Sequence, residues 1–141
     1  MIEDISERVQ RATNYAEIVE LFARYATAID SRDWDTLDTV FTPDATFDAT
    51  SVGYEFLDGL AHIKTHMATD ARHPAAHLIL NVTADISGDH ASTRSRLAAL
   101  QHDGRIFTGE YRDELTHTPH GWRIRVRVYS RLQQSSDPAL P

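Results

Sequence analysis

The hydrophobic period of this chain changes once, and the change sets the fold class. Between Tyr15 and Ile29 the apolar residues Ile18, Leu21, Phe22, Tyr25, Ala26 and Ile29 recur at i, i+3, i+4, i+7, i+8 and i+11, the stripe of an amphipathic helix. From residue 75 onward the period becomes two. Segments 75–86, 90–102, 105–117 and 122–133 alternate and are separated by "SGD", "HDG" and "TPHG", which is hairpin chemistry. Helices followed by an antiparallel meander predict an α+β domain, with the helices laid on one face of a curved sheet.

Between these halves the elements are shorter. "EDISERVQRA" reads as a weaker helical turn, with Thr13-Asn14 as a cap that restarts the main helix. Asp33 can cap a second short helix in which Trp34, Leu37 and Phe41 share a face, and Pro43 ends it. "DATFDAT" is a first strand, a loop follows at Gly53, and "DGLAHIKTHMATD" is a third helix with Leu60, Ile63 and Met67 on one side. The 141 residues suit one domain, which at this length buries roughly 70% of its unfolded surface. It is expected to span residues 1–133, with 134–141 as a frayed or partner-docking tail.

Charge and composition remove several functions. A net charge of −7 disfavours nucleic acid, whose phosphates need a concentrated basic surface. No apolar run approaches a membrane span and the N-terminus lacks a signal-peptide layout, so a cytoplasmic protein without membrane contact is expected. Zero cysteines remove disulfides, thiolate metal sites and a Cys nucleophile. No phosphate loop, dinucleotide fingerprint or G-x-S-x-G elbow occurs. His62 and His66 have a spacing that can bind metal, but Ile63 and Lys64 follow His62, so no H-E-x-x-H forms; neither metal nor cofactor is expected.

Two residues break the apolar pattern in a way that invites chemistry. Asp30 follows Ile29 at the end of the helical stripe. It reads either as a polar helix end or as a carboxylate pointing into a cavity, where it needs a partner. On the strand "AHLILNV", alternation puts His77, Ile79 and Asn81 on one face. A strand histidine is commonly structural or exposed, but a buried Asp beside it would orient the imidazole and let it take a proton near neutral pH. On the last strand Trp122, Ile124, Val126 and Val128 should face one way and Arg123, Arg125, Arg127, Tyr129 and Arg131 the other. Pairing with Glu110, Asp113 or Glu114 accounts for most of these arginines, unless a bulge turns one inward.

The stretches "EIVELFARYATAIDSRDWDTLDTVFTPDATFD", "DGLAHIKTHM", "HLILNVTADISGDHA" and "GEYRDELTHTPHGWRI" resemble the SnoaL-like branch of the nuclear transport factor 2-like superfamily. The resemblance implies a conical α+β barrel with a deep pocket. Its nearest members in pattern are scytalone dehydratase, bile-acid 7α-dehydratase and lindane dehydrochlorinase. It implies a catalytic dyad of Asp30 and His77, with Tyr25 in the pocket. Two of those enzymes supply an Arg from the last strand; Tyr129 stands at that position here, flanked by Arg127 and Arg131.

On that basis Asp30, His77, Tyr25 and Arg127 are the expected catalytic set. Phe22, Ile29, Trp34, Phe47, Asn81, Leu97, Phe107, Tyr111, Tyr129 and Arg131 are the expected substrate contacts. The implied activity is a cofactor-independent lyase or isomerase acting on a small hydrophobic cyclic metabolite of polyketide, terpenoid or steroid type. The alternatives are a noncatalytic binding or assembly module, or a polyketide cyclase or epoxide hydrolase using Asp48, Asp113, Asn81 and Gln101. A homo-oligomer, dimer or trimer, is expected because the sheet has two usable faces.

Overall fold

A computed structural model of the chain describes residues 2–132; the expected tail at 134–141 lies outside them. The elements are α1 (Ile5–Asp30), a 3₁₀ helix (Trp34–Thr39), β1 (Phe41–Asp48), a 3₁₀ turn (Thr50–Val52), β2 (Phe56–Asp58), α2 (Leu60–Thr69), β3 (Ala76–Ser87), β4 (His90–Leu100), β5 (Ile106–Thr118) and β6 (Gly121–Arg131). The six strands form one sheet in the order β2-β1-β6-β5-β4-β3. Only β1 and β6 run parallel; the other neighbours are antiparallel. The architecture is α+β, as the change of period implied, and has the cone form that the family resemblance implied.

The core forms where the helical stripe meets the inward face of the sheet. Ile18, Leu21, Phe22, Tyr25 and Ile29 of α1 are buried together with Phe41, Ile63, Leu115, Trp122 and Ile124. No restart occurs at Thr13-Asn14: α1 runs unbroken, and the Asn14 side-chain Oδ1 instead accepts from Trp122 Nε1 at 3.3 Å. Tertiary packing overrides a local capping signal here.

The second helix is a 3₁₀ segment capped by Asp33, whose carboxylate accepts from the Thr36 backbone at 3.3 Å and its hydroxyl at 2.7 Å. It ends at Thr39, before Pro43, so Phe41 and Pro43 belong to β1. Pro43 sits in a stretch between Phe41 and Thr46 where the pairing with β6 shifts register, which is where a strand tolerates a residue with no N–H. The three-residue β2 was not expected; it is too short to show a period. Among the described residues no helix is long and apolar enough to cross a membrane.

Two bulges decide which side chains enter the cone. In β3 the pairing shifts between Leu80 and Thr83, and Asn81 has φ +53°. Asn tolerates this left-handed conformation better than most residues. The extra residue reverses the parity: His77 and Ile79 face in, Asn81 faces solvent, and Val82, Ala84 and Ile86 turn inward. The Val82 carbonyl in the bulge accepts from the Tyr15 hydroxyl at 2.8 Å, which ties the strand to α1. In β6 Leu115 pairs Ile124 and Glu114 pairs Val126, so Arg125 is the extra residue. Trp122 and Ile124 point inward before it; Arg127 and Tyr129 do so after it, and Val126 and Val128 lose the inward side that strict alternation assigned them.

Candidate active site

The end of α1 places the acidic group. Arg32 takes φ +59°, the Asp33 N–H bonds the Ala28 carbonyl at 2.9 Å and the Arg32 N–H bonds the Ile29 carbonyl at 3.2 Å. This is a Schellman closure. It makes Asp30 the last helical residue, at the negative end of the helix dipole, where a carboxylate is disfavoured by about 0.3–1 kcal/mol. His77 compensates. Its backbone N–H donates to both Asp30 oxygens at 3.1 Å, and its Nδ1 lies 2.6 Å from Oδ1.

That contact also fixes the tautomer. An ionised carboxylate only accepts, so Nδ1 carries the proton and Nε2 keeps a lone pair. Nε2 makes no hydrogen bond among the described residues, and His77 lines the main cavity. The His77 side chain is 7% exposed and that of Asp30 25%; the carboxylate stands behind the ring, outside the cavity lining. Burial lowers the His77 pKa below its ordinary 6.5, and it outweighs the opposing hydrogen bond and charge of Asp30. The imidazole is therefore neutral at pH 7, held ready to accept a proton.

The cavity has a volume of about 220 Å³. Of the expected contacts, Tyr25, Ile29, Phe47, Leu97, Phe107, Tyr111, Tyr129 and Arg131 line it. Four others do not. Asn81 is turned out by the β3 bulge. Phe22 is wholly buried in the layer beneath, and Trp34 packs against His73 with ring centroids 5.7 Å apart, outside the lining.

Arg127 is the largest departure. Its guanidinium is fully buried under the cavity floor, bound twice to Asp113 (Nε–Oδ1 and Nη2–Oδ2, both 2.8 Å), and does not line the cavity. Burial acts against its charge, but Asp113 outweighs burial and moves the pKa up. Its Cζ lies 3.9 Å from the ring centre of Tyr111, 4.4 Å from Tyr25 and 5.3 Å from Phe22, a cation held among three aromatic rings. Asp113 is thereby committed to the pair, and Asp48 caps Thr50. Of the carboxylates and amides considered for epoxide opening, Gln101 alone lines the cavity.

The pattern Gly109-x-Tyr111-x-Asp113 is legible in this geometry, since alternate residues of β5 face inward. Asp113 holds Arg127, and Tyr111 covers it. At Gly109 an added Cβ would overlap the Tyr129 ring, so the missing side chain lets Tyr129 lie across the strand.

The mouth is polar in a way the residue patterns did not reveal. His66, Asp70, Arg72, His73, Glu55 and Tyr54 line it, contributed by α2 and the loops flanking it. The His73 Nε2–H donates to the Met67 carbonyl at 2.7 Å, and Arg72 spans Tyr54 and Asp70. The i, i+4 spacing of His62 and His66 proves to bracket Glu55 at 3.5 and 3.6 Å. No group of three or more side chains suited to a metal converges among the described residues.

Comparison with known proteins agrees with this architecture. The SnoaL-like domain profile matches residues 10–128. The uncharacterised protein Rv2910c of Mycobacterium tuberculosis is 33% identical over 94% of this chain and 90% of its own length. An NTF2-like protein with a cystatin-like fold from Novosphingobium aromaticivorans superposes with a TM-score of 0.78 at 25% identity, covering 96% of this chain and 95% of its own. A proposed scytalone dehydratase from the same organism superposes at 0.75, with 18% identity and 87% of each chain covered, a likeness of fold alone. The profile match spans well over half of the sequence, and the chain belongs to the SnoaL-like domain family of the NTF2-like superfamily.

Proposed function

We propose that this protein is a cofactor-independent lyase or isomerase that removes a proton from carbon in a small cyclic substrate. The observation that carries the reading is the 2.6 Å contact between His77 Nδ1 and Asp30, which leaves Nε2 as a basic atom at an apolar cavity. His77 takes the proton and Asp30 stabilises the imidazolium. The electron pair moves into a neighbouring carbonyl or expels a leaving group, and Tyr25 supplies a hydroxyl where negative charge gathers. Arg127 acts from beneath the floor.

The test uses deuterium. 1-Tetralone, a two-ring ketone, is incubated in heavy water and label at its α-carbon is followed by NMR. The protein should accelerate uptake and His77→Gln should remove about 10²–10⁴-fold of the acceleration. No acceleration with any of a panel of cyclic ketones, while the ligand is still bound, assigns the cavity to a noncatalytic binder.

The outer face of the sheet supports a self-association reading. Leu78, Leu80, Leu100, Ile106 and Val128 are exposed there, an apolar set suited to burial against a second copy. Light scattering coupled to size exclusion should give a multimer, and Leu78→Lys with Leu80→Lys should return it to a monomer.

A further inference from the structure

Of the charged side chains that line the cavity, Arg131 is the one without a partner among the described residues. Asp70 is held by Arg72 at 2.9 Å, and Glu55 lies 3.5 and 3.6 Å from His62 and His66. Arg131, the last residue of β6, makes no ion pair and no side-chain hydrogen bond within the described chain. Arg105 stands beside it but is bound to Asp103 at 2.7 Å and lies outside the lining.

The free cation is nevertheless positioned. Its Cζ is 5.2 Å from the centre of the Phe107 ring, against which Arg105 also packs at 5.6 Å. An aromatic face attracts the cation yet occupies none of its five N–H donors. The charge is felt inside: burial raises the pKa of the cavity-lining Tyr129 hydroxyl, and Arg131 acts against that rise. A chain of net charge −7 repels anions as a whole, so an unpaired guanidinium at the cavity is the local feature that draws one in.

Topology sets the span. His77 of β3 pairs Ala99 of β4, Ala99 pairs Phe107 of β5, and Arg131 of β6 pairs Gly109, two residues along β5. His77 and Arg131 thus stand three strand spacings apart, about 14 Å along the curved sheet. Between them Leu97, Ala99 and Phe107 line the cavity without a charge. The volume of about 220 Å³ exceeds the roughly 150 Å³ that admits benzene, so a two-ring skeleton suits this stretch.

We infer that Arg131 is an anion site at the cavity mouth, and that the ligand is a cyclic carboxylic acid whose carboxylate binds Arg131 while its rings lie on Leu97 and Phe107 toward His77. A carboxylate suits a single guanidinium, whose planar fork can take both oxygens. A phosphate dianion calls for further cations, and Arg72 and Arg105 are committed to Asp70 and Asp103. The inference rests on reading this cavity as the substrate site, and it adds a specificity that the histidine does not supply.

Calorimetry with 2-naphthoate and 2-naphthamide, which share a skeleton and differ in charge, tests the site. At pH 8 the His77 ring is neutral and cannot stand in as the cation. The whole chain should bind naphthoate about tenfold more tightly than naphthamide. Arg131→Gln should bring the two within about twofold by weakening naphthoate alone, and Arg105→Gln, which removes a neighbouring charge, should leave the preference in place. Equal affinities in the native chain, a preference that survives Arg131→Gln, or one that Arg105→Gln removes as fully, overturns the site. Deuterium uptake by tetralone reads the base independently. A naphthoate preference that depends on Arg131, with uptake indifferent to His77→Gln, keeps the anion site and removes proton abstraction; uptake that depends on His77 with no naphthoate preference does the reverse.

Discussion

Asp30 grips His77 at two points, through its backbone N–H at 3.1 Å and through Nδ1 at 2.6 Å. The first bond docks the start of β3 onto the end of α1, and the second orients the ring. Asp30→Asn should separate these jobs. An amide oxygen can still accept from the backbone, so the fold should survive. The ring loses its anionic partner and the fixed tautomer, and kcat for deuterium exchange should drop roughly 10²-fold or more with little change in KM. Retention of kcat within threefold in a folded Asp30→Asn protein would remove the dyad from the mechanism.

The depressed pKa of His77 gives two linked pH dependences. Activity needs the neutral ring, so kcat/KM should fall on acidification with a midpoint below 6.5. Asp30 opposes burial by raising this pKa, so Asp30→Asn should move the midpoint lower still. For stability, the unfolded chain binds the proton more readily than the folded one. Between the folded pKa and 6.5 the unfolded state holds more protons, and unfolding free energy falls as pH drops through that window; above 6.5 this residue contributes no slope. Urea melts of the native chain and of His77→Gln between pH 5 and 8 should differ in slope only in the acidic part. An activity midpoint above 6.5 would contradict the buried neutral imidazole.

The Arg127–Asp113 pair predicts a stability result with a particular pattern. Both side chains are fully buried, and removing one partner leaves the other as an uncompensated charge, at a cost of about 3–5 kcal/mol. Arg127→Met should therefore lower Tm by on the order of 10 °C. Arg127→Met combined with Asp113→Leu should recover much of the loss, because no lone charge remains. A double variant as unstable as the two single changes added together would mean that the pair contributes more than mutual neutralisation.

What could be read ahead of the structure, and what could not, divides along physical lines. The α1 stripe and the four long strands announce themselves because each repeats one period over many residues. The meeting of Asp30 with His77 was suggested by an acidic residue out of pattern and by family resemblance. The bulges hid the rest. One inserted residue reverses parity downstream without disturbing composition, so Asn81 seemed to face inward and Val126 and Val128 seemed to belong to the core. Asn81 offered a local clue, being a residue type that tolerates positive φ; Arg125 offered none. The depth of Arg127 was obscured for the same reason, since an arginine on an alternating strand reads as a solvated one. The polar mouth escaped notice because His66, Asp70 and His73 converge from a helix and a loop with no shared spacing.

Gly109 supplies the last prediction. A Cβ there would stand 2.7 Å from the Tyr129 hydroxyl oxygen and 2.8 Å from its Cζ, inside van der Waals contact, so Gly109→Ala must move the Tyr129 ring. Strand backbone does not yield as readily as a half-buried side chain, and the free space next to Tyr129 is the cavity it lines. The ring should swing into that space and exclude ligand. Tetralone affinity should fall about tenfold or more, while stability changes by only the 1–3 kcal/mol typical of a tight insertion. Adding Tyr129→Ala removes the obstructing ring, so the double variant should regain affinity over Gly109→Ala alone. Were the double variant to bind no better, the loss would have to come from the β5 backbone, and the role of Gly109 as the seat of the Tyr129 ring would be refuted.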